Sequence, residues 1–278
     1  MHNIKIIALD LDGTLLNSNK ELTSASSAAL YRAAESGILI VPTTGRFYGG
    51  MPEEIRQLPF VKYAVTINGA QVADVSNGEV IYKAELSCSQ SVRIMEFLDG
   101  YPVIYDCYQD NDAWMTARLK ERIDETVSSH HYRKMLHELR KPVDELKKVL
   151  TERNRGVQKV QFFTNKPEVR ALLMEELPKR FRDICVTSST DDNVEINQSR
   201  ANKGQAILAL AEHLGIKREE ILAFGDGMND ISMLKTAGIG VAMANACDEA
   251  KTAADSITLS CDEDGVARGI EEICFKER

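Results

Sequence analysis

The stretch Ile4-Lys5-Ile6-Ile7-Ala8-Leu9-Asp10-Leu11-Asp12-Gly13-Thr14-Leu15-Leu16 decides the fold of this chain. Its run of β-favouring apolar residues predicts a buried strand of a parallel sheet, which ends in two carboxylates and a Gly-Thr turn. Ligands of open α/β sheets bind at the carboxyl ends of the strands. Because side chains alternate along a strand, Asp10 and Asp12 are expected to point the same way, and such a pair needs a cation or a proton. The alternative is an ordinary turn, in which one aspartate caps the backbone and the other is exposed.

Length and composition describe an ordinary globular protein. The 278 residues suffice for one large domain or two smaller ones, and 44% hydrophobic with 27% charged residues is typical of folded chains. The formal net charge of -8 and the pI near 5.3 argue against a nucleic-acid partner, because such partners select a basic face.

The cysteines and the first residues indicate a cytoplasmic protein. Six cysteines are scattered without a CxxC pair, a pattern typical of reduced thiols rather than of zinc ligands. The first apolar run is short, contains Lys5 and ends in acids, so we expect no signal peptide. No segment approaches the roughly 20 apolar residues of a membrane span, and we expect no membrane partner. The sequence leaves the oligomeric state open and is compatible with a monomer.

The segment after the first strand predicts a βαβ unit. Its helix has Thr23 as a candidate N-cap and Gly37 after its end, and Ile38–Pro42 is a second buried strand. The strands of such a unit are parallel, so their carboxyl ends meet at one edge of the sheet. The second strand ends in Thr43-Thr44-Gly45-Arg46, whose hydroxyl and backbone N–H groups suit a phosphate. A plain strand-to-helix turn would explain the same residues.

The C-terminal third also alternates strands and helices. The predicted strand Ile221–Phe224 ends in Gly225-Asp226-Gly227-Met228-Asn229-Asp230, which places two more acids and an amide at a strand end. Lys203 lies at the start of the preceding predicted helix, where the positive end of the helix dipole prefers anions. Either this lysine is exposed without a partner, or a group of acids faces it.

The middle of the chain predicts an inserted domain. Gln71–Val75 and Glu79–Tyr82 form a predicted hairpin that leads out of the first part of the chain. The following residues alternate helices with short strands in an order that suggests one sheet covered on one face, and they include a charged helical stretch over Lys120–Leu139. The short strand Val194–Asn197 is predicted to return to the first domain.

The predicted organisation is therefore a doubly wound, mainly parallel α/β core with an inserted α+β domain. The core comprises residues 1–83 and 191–278, and the insert comprises residues 84–190.

Four motifs occur in a fixed order along the core: Asp10-Leu11-Asp12-Gly13-Thr14, Thr44-Gly45-Arg46, Lys203 and Gly225–Asp230. In this order they resemble the phosphatases of the haloacid dehalogenase-like hydrolase superfamily. The segment Gly225–Ala246 resembles their Cof-type branch, in which a large C2-type cap follows the third strand. The resemblance implies a Rossmann-like core, a cap in the insert, and Mg²⁺-dependent hydrolysis of small phosphorylated metabolites, with sugar phosphates as the expected class.

The resemblance also implies roles for the acids. Asp10 is the implied nucleophile, which forms an aspartyl-phosphate, and Asp12 is the implied general acid and base. The second role requires a carboxyl whose pKa is raised by acidic neighbours. The implied Mg²⁺ ligands are Asp10, Asp226 and the backbone carbonyl of Asp12, while Asp230 binds the metal directly or orients a bound water.

The remaining motif residues are implied to bind the substrate. Thr44, Gly45 and Lys203 would hold the phosphoryl oxygens, and Asn229 would orient an aspartate or the phosphate. Arg46 is a further substrate-binding candidate that could equally pair at the surface. Two other functions remain open, namely a phosphomutase that uses the same aspartyl-phosphate and a non-catalytic protein that binds phosphorylated metabolites.

Overall fold

The structure is a computed structural model that describes residues 3–188 and 190–276, except the side chain of residue 131. The chain forms two compact units. The first, here called the core, comprises the chain up to Arg46, Met51–Lys83 and the chain from Asn202 onward. The second, here called the insert, comprises Phe47–Gly50 and Ala84–Ala201.

The N-terminal part of the core contains the predicted βαβ unit and hairpin. Thr23 caps the first helix, as predicted, by accepting a hydrogen bond from the Ser26 N–H at 3.1 Å. The elements are β1 (Ile6–Leu9), α1 (Ser24–Glu35), β2 (Leu39–Pro42), α2 (Glu53–Arg56), β3 (Tyr63–Thr66), β4 (Gln71–Asp74) and β5 (Val80–Lys83).

The insert contains six strands and six helices among the residues described. They are α3 (Cys88–Leu98), β6 (Ile104–Gln109), β7 (Asp112–Thr116), α4 (Ala117–Lys120), α5 (Ile123–Thr126), α6 (His130–Leu139), β8 (Arg140–Val143), α7 (Leu146–Arg153), β9 (Lys159–Phe163), α8 (Pro167–Arg180), β10 (Ile184–Thr187) and β11 (Asn193–Gln198). The predicted charged stretch Lys120–Leu139 is largely helical, but it does not form one continuous helix. Val127 adopts an extended conformation, and Ser129 starts a new helix by accepting from the Tyr132 N–H, so the stretch is divided.

The C-terminal part of the core returns to alternating strands and helices. The elements are α9 (Lys203–Leu214), β12 (Ile221–Gly225), α10 (Ile231–Thr236), β13 (Ile239–Ala242), α11 (Asp248–Ala253), β14 (Ser256–Ile257) and α12 (Gly265–Ile270), which a π-helical turn (Glu271–Phe275) follows. Short 3-10 turns occur at Tyr48–Gly50, Ile67–Gly69, Arg218–Glu220, Met228–Asp230 and Cys261–Glu263.

The main sheet of the core is parallel, with the strand order β14-β13-β12-β1-β2. Leu9, the last residue of β1, lies opposite Pro42 on one side and Phe224 on the other. The chain therefore leaves β1, β2 and β12 at the same edge of the sheet. Ile6 and Ala8 pack in a buried cluster with residues of α9, which covers one face. The predicted mainly parallel α/β core is confirmed.

The predicted hairpin is also confirmed, in a second, smaller sheet of the core. This sheet has the order β3-β4-β5 and is antiparallel. It is joined to the main sheet by a parallel bridge between Thr43 and Val65, and the Thr44 N–H donates to the Val65 carbonyl at 2.9 Å. The end of β3 is thereby held beside the end of β2.

The sheet of the insert has the order β10-β11-β9-β6-β7-β8, and only β7 and β8 pair in parallel among its neighbours. The predicted return of Val194–Asn197 to the core is wrong, because β11 pairs with β9 and β10 in this sheet. The compact unit therefore extends to Ala201, beyond the predicted boundary at residue 190. A short apolar strand carries no local mark of the sheet that it joins, so the boundary is decided by pairing.

The insert sheet carries buried charges. Arg140 Nε donates to Asp106 Oδ2 at 2.6 Å, and both side chains are fully buried. Arg140 Nη2 also donates to the Tyr108 hydroxyl at 2.9 Å. A second buried pair joins Lys159 Nζ to Glu195 Oε1 at 2.8 Å. Charges so deeply buried are tolerated only when they are paired and hydrogen-bonded.

Replacement of Asp106 is expected to destabilise the protein. Asp106→Ala should lower the free energy of unfolding by about 3 kcal/mol, because Arg140 keeps its charge in a dry environment without its carboxylate. Urea denaturation followed by circular dichroism measures the change. The matched control is Lys179→Ala, which removes an exposed pair with Glu175 and should change stability by less than about 0.5 kcal/mol. Equal effects of the two substitutions would contradict the expectation.

No helix within residues 3–188 and 190–276 combines the length and the apolar content that crossing a membrane requires.

Candidate active site

Lys203 lies between two carboxylates in the core. Its Nζ donates to Oδ1 of Asp10 and to Oδ1 of Asp230, each at 2.6 Å. The side chains of Lys203 and Asp230 are fully buried. Asn202 caps α9 by accepting from the Gln205 N–H at 2.9 Å, which places Lys203 at the first position of the helix. Of the two explanations that the sequence left open, the structure shows a lysine that faces acids.

The electrostatics of this cluster are strongly coupled. Burial alone would lower the pKa of Lys203, but the charges of Asp10 and Asp230 and their hydrogen bonds raise it above its usual value. Burial raises the pKa of Asp10 well above its ordinary range; Lys203 opposes the shift, and the charges of Asp230 and Asp226 add to it. The pKa of Asp226 is raised to about 6, first by burial and then by Asp230. Further positive charge in this cluster would therefore stabilise the ionised carboxylates.

The acids form a group that fits a divalent cation. One oxygen from each of Asp10, Asp226 and Asp230 lies within 4.8 Å of the other two. Carboxylate oxygens are hard ligands of the kind that Mg²⁺ selects. At Gly13, which has φ 84°, a Cβ atom would lie 2.5 Å from Asp226 Oδ2. A glycine is thus required beside this carboxylate, whose Oδ1 accepts from the Thr14 hydroxyl at 2.7 Å.

Asp230 is the most constrained of these acids. Its Oδ2 accepts from the backbone N–H groups of Asp226 at 2.9 Å and Gly227 at 2.8 Å, while its Oδ1 accepts from Lys203. At Gly225 an added Cβ would lie 2.4 Å from the Cβ of Asp230. Asp230 therefore fixes the loop after β12 and orients Lys203.

Asp12 differs from the sequence-based expectation. Arg46 contacts both of its carboxylate oxygens, with Nε at 2.8 Å and Nη2 at 2.7 Å, and Lys20 Nζ lies 3.1 Å from Oδ1. Burial alone would raise the pKa of Asp12, but the hydrogen bonds and charges of Arg46 and Lys20 outweigh it and lower the pKa to about 2. The expected upward shift is wrong for this geometry. Because β1 ends at Leu9, strand alternation does not decide where the carboxylates point, and Asp12 pairs with cations.

The phosphate-binding candidate after β2 is buried and well ordered by hydrogen bonds. Thr44 is 1% exposed, and its hydroxyl accepts from the Arg46 N–H at 3.2 Å. At Gly45 an added Cβ would lie 2.8 Å from Oδ1 of Asn68. The same oxygen accepts from Asn229 Nδ2 at 3.2 Å. Thr44, Gly45 and Asn229 are thus brought together through Asn68.

Asn68 is the residue of this site that the sequence analysis did not select. It follows β3, is 4% exposed, and lies between the loops after β2 and β12. The signal was present as Asn68-Gly69, which begins two positions after the end of β3, close to where polar residues follow β1, β2 and β12. A polar residue at the end of one more strand at this edge was therefore the available indication.

The sequence model of the haloacid dehalogenase-like hydrolases matches residues 7–270. The chain belongs to this family. It is 32% identical over 273 residues to the putative phosphatase YxeH of Bacillus subtilis (strain 168), with 97% of this chain and 98% of that protein covered.

Two further relatives of this haloacid dehalogenase-like hydrolase carry more specific names. One is the 5-amino-6-(5-phospho-D-ribitylamino)uracil phosphatase YcsE of Bacillus subtilis (strain 168). It is 29% identical to this chain over 268 residues, which are 96% of this chain and 95% of that protein. The other is the structure of the subclass IIB sugar phosphatase BT4131, with a TM-score of 0.81, 25% identity, and coverage of 96% of this chain and 98% of that chain. The chain is a haloacid dehalogenase-like phosphatase of the Cof-type branch, and this prediction is confirmed.

Proposed function

We propose that this phosphatase removes phosphate from small phosphorylated metabolites, with sugar phosphates as the substrate class, in a Mg²⁺-dependent reaction through an aspartyl-phosphate. The observation that carries the proposal is the cluster of Asp10, Lys203, Asp226 and Asp230 at the carboxyl edge of the parallel sheet, in which only Asp226 is partly exposed. Such a cluster combines a carboxylate with the positive charge and metal ligands that phosphoryl transfer requires.

Asp10 is the proposed nucleophile. A carboxylate oxygen attacks phosphorus, the bond from phosphorus to the leaving oxygen breaks, and water later hydrolyses the aspartyl-phosphate. Two unit charges 4 Å apart repel by about 4 kcal/mol at an effective dielectric of 20, so a carboxylate approaches a phosphate only when cations offset this repulsion. Lys203 supplies one such charge directly at Asp10 Oδ1.

Asp10 and Asp226 are the proposed carboxylate ligands of Mg²⁺, together with the backbone carbonyl of Asp12. Asp230 already accepts three hydrogen bonds, which orient Lys203 and hold the loop after β12. Its further proposed role is to orient a metal-bound water. The metal would supply Lewis-acid charge neutralisation at the phosphoryl group.

Asp12 is the proposed proton carrier. In the protonated form it donates its proton to the leaving oxygen as the bond to phosphorus breaks. The carboxylate that remains then accepts a proton from the water that attacks the aspartyl-phosphate, which restores the protonated form for the next turnover. Its contacts with Arg46 favour the ionised form, which is the base required in the second step. Arg46 is therefore proposed to act on Asp12 as well as on the substrate.

The phosphoryl oxygens are proposed to bind at Thr44, Gly45, Lys203 and Asn229. The first two lie on the loop after β2, and Asn229 lies on the loop after β12, so the donors approach from different strands. The substrate class rests on the names of relatives, since one acts on a phosphorylated ribityl chain and another is a sugar phosphatase. Both names describe a phosphate on a polyhydroxylated carbon chain.

Phosphate release from a panel of sugar phosphates and p-nitrophenyl phosphate tests the proposal. With Mg²⁺ present we expect turnover of the aryl ester and of at least one sugar phosphate. EDTA should lower the rate at least about 100-fold, because the repulsion between carboxylate and phosphate is then no longer neutralised. Added Mg²⁺ should restore it.

The same panel separates the other functions. Full activity in EDTA would overturn the metal dependence. An isomerised sugar phosphate without released phosphate would favour a phosphomutase, and saturable binding without turnover of any member would favour a binding protein.

A further inference from the structure

The loop Ile67–Gly69 has an unusual backbone. Its residues have φ values of 54°, 57° and 92°, all in the left-handed region. This region is readily adopted by glycine and tolerated by asparagine, whereas a β-branched isoleucine rarely adopts it. All three residues are buried. Backbone strain of this kind persists only where surrounding contacts hold it, and it concentrates at functional sites.

Those contacts are with the proposed phosphate-binding segments. The Ile67 N–H donates to the Arg46 carbonyl at 2.9 Å, and the Asn68 N–H donates to the Thr44 carbonyl at 3.0 Å. At Gly69 an added Cβ would lie 2.4 Å from the carbonyl oxygen of Asn202, the residue before Lys203. The strained loop is therefore packed against both the loop after β2 and the start of α9.

The side chain of Asn68 extends this network to a third segment. Its Oδ1 accepts one N–H of the Asn229 side-chain amide at 3.2 Å. A primary amide is planar and carries two N–H bonds, so a hydrogen bond to one of them restricts the directions that the other can take. An added Cβ at Gly45 would lie 2.8 Å from the same oxygen, so a side chain there would displace the Asn68 amide.

We propose that Asn68 is a positioning residue for the phosphoryl-transfer reaction. It holds the amide of Asn229 so that the second N–H is aimed at the phosphoryl group, and this inference rests on the proposed function. The left-handed backbone is needed because it lets one residue serve Thr44 through its N–H and Asn229 through its side chain. Glycine would satisfy the backbone, whereas asparagine also supplies an acceptor and adds no negative charge beside the phosphate site.

The substitution Asn68→Gly tests this role, because it keeps the favoured backbone conformation and removes the side-chain amide that holds Asn229. We expect kcat for p-nitrophenyl phosphate with Mg²⁺ to fall about tenfold or more, with KM within about twofold, since a misdirected donor chiefly weakens transition-state stabilisation. In an Asn229→Ala background the same substitution should cause no further loss, because the group that it positions is absent.

A matched control and a second variant complete the test. Asn154, which ends α7 in the insert with φ 45° and is exposed, allows the same change, and Asn154→Gly should leave kcat unchanged. Asn68→Asp retains an acceptor but adds a negative charge near the phosphate, so it should raise KM and keep kcat above that of Asn68→Gly. Circular dichroism reports whether each variant folds.

The outcomes are distinct. Wild-type kcat in Asn68→Gly, or losses that simply add in the double variant, would overturn the positioning role while leaving the proposed function intact. If Asn68→Gly does not fold, the kcat of Asn68→Asp decides, and a fall equal to that of Asn229→Ala overturns the role. Absence of turnover by the wild-type protein would overturn both the proposed function and this inference.

Discussion

Asp10→Asn is expected to abolish phosphate release, with kcat lowered about 10⁴-fold or more, as is typical when a covalent nucleophile is removed. The asparagine amide has nearly the same shape as the aspartate carboxylate but lacks its negative charge. Its oxygen is therefore a poor nucleophile and does not form a stable acyl phosphate. The amide can still accept the hydrogen bond from Lys203, so the pair of Lys203 with Asp230 remains in place. Steady-state hydrolysis of p-nitrophenyl phosphate measures the loss.

Asp112→Asn provides the matched control for this substitution. Asp112 lies in the insert and forms an exposed ion pair with Lys141 at 2.7 Å, so the same loss of charge occurs in an aspartate that also pairs with a lysine. We expect its kcat to remain within about twofold of wild type, because exposed pairs contribute little. Residual turnover by Asp10→Asn comparable to that of the control would show that another residue attacks phosphorus.

Lys203→Met is expected to reduce both stability and activity. The side chain is fully buried between Asp10 and Asp230, and removing its charge leaves buried carboxylates without the cation that pairs with them. Breaking a buried pair in this way costs about 3 to 5 kcal/mol in the free energy of unfolding. We also expect kcat to fall about 100-fold to 1,000-fold, as when a preorganised donor is removed from a transition state.

Urea unfolding and p-nitrophenyl phosphate hydrolysis measure the two effects separately. The matched control is Lys141→Met, which removes the exposed partner of Asp112 and should change stability by less than about 0.5 kcal/mol. Wild-type stability in Lys203→Met would mean that the carboxylates take up protons at no cost when the lysine is removed. Wild-type activity would exclude Lys203 from the reaction.

Much of the fold was predictable because its signals are local. The βαβ unit is marked by two apolar strands, a capped helix and a glycine stop, and β1, α1 and β2 follow this pattern. The hairpin of β4 and β5 is marked by the turn between two short strands. The residues that form each of these signals lie close together in the chain, within a segment no longer than a single βαβ unit.

The errors lie where pairing or packing over long distances decides the structure. β11 reads as one more short apolar strand, and only its register with β9 and β10 assigns it to the insert. The charged stretch Lys120–Leu139 is divided into separate helices, and the strand that follows it, β8, pairs with β7. Buried charges such as Arg140 also look like surface residues in the sequence. Burial depends on the neighbours that the fold supplies.

The candidate site shows the same division. The sequence indicates that the motif residues follow strand ends or open a helix. It thereby also indicates that they meet, because parallel strands bring their carboxyl ends to one edge of the sheet. The sequence does not indicate that Asp12 pairs with Arg46 and Lys20, which reverses the expected direction of its pKa shift. Nor does it indicate the contact between Asn68 and Asn229, which are 161 positions apart.

The sequence by itself determined the parallel core, the family, and the set of acids and the lysine that meet at the edge of the sheet, because apolar periodicity and strand-end motifs are properties of short segments. The tertiary structure alone decided which charges are paired, in which direction the pKa values of Asp10 and Asp12 are shifted and where the insert ends. These depend on distances of a few ångströms between residues far apart in the chain, and Coulomb energies and hydrogen bonds vary steeply over such distances.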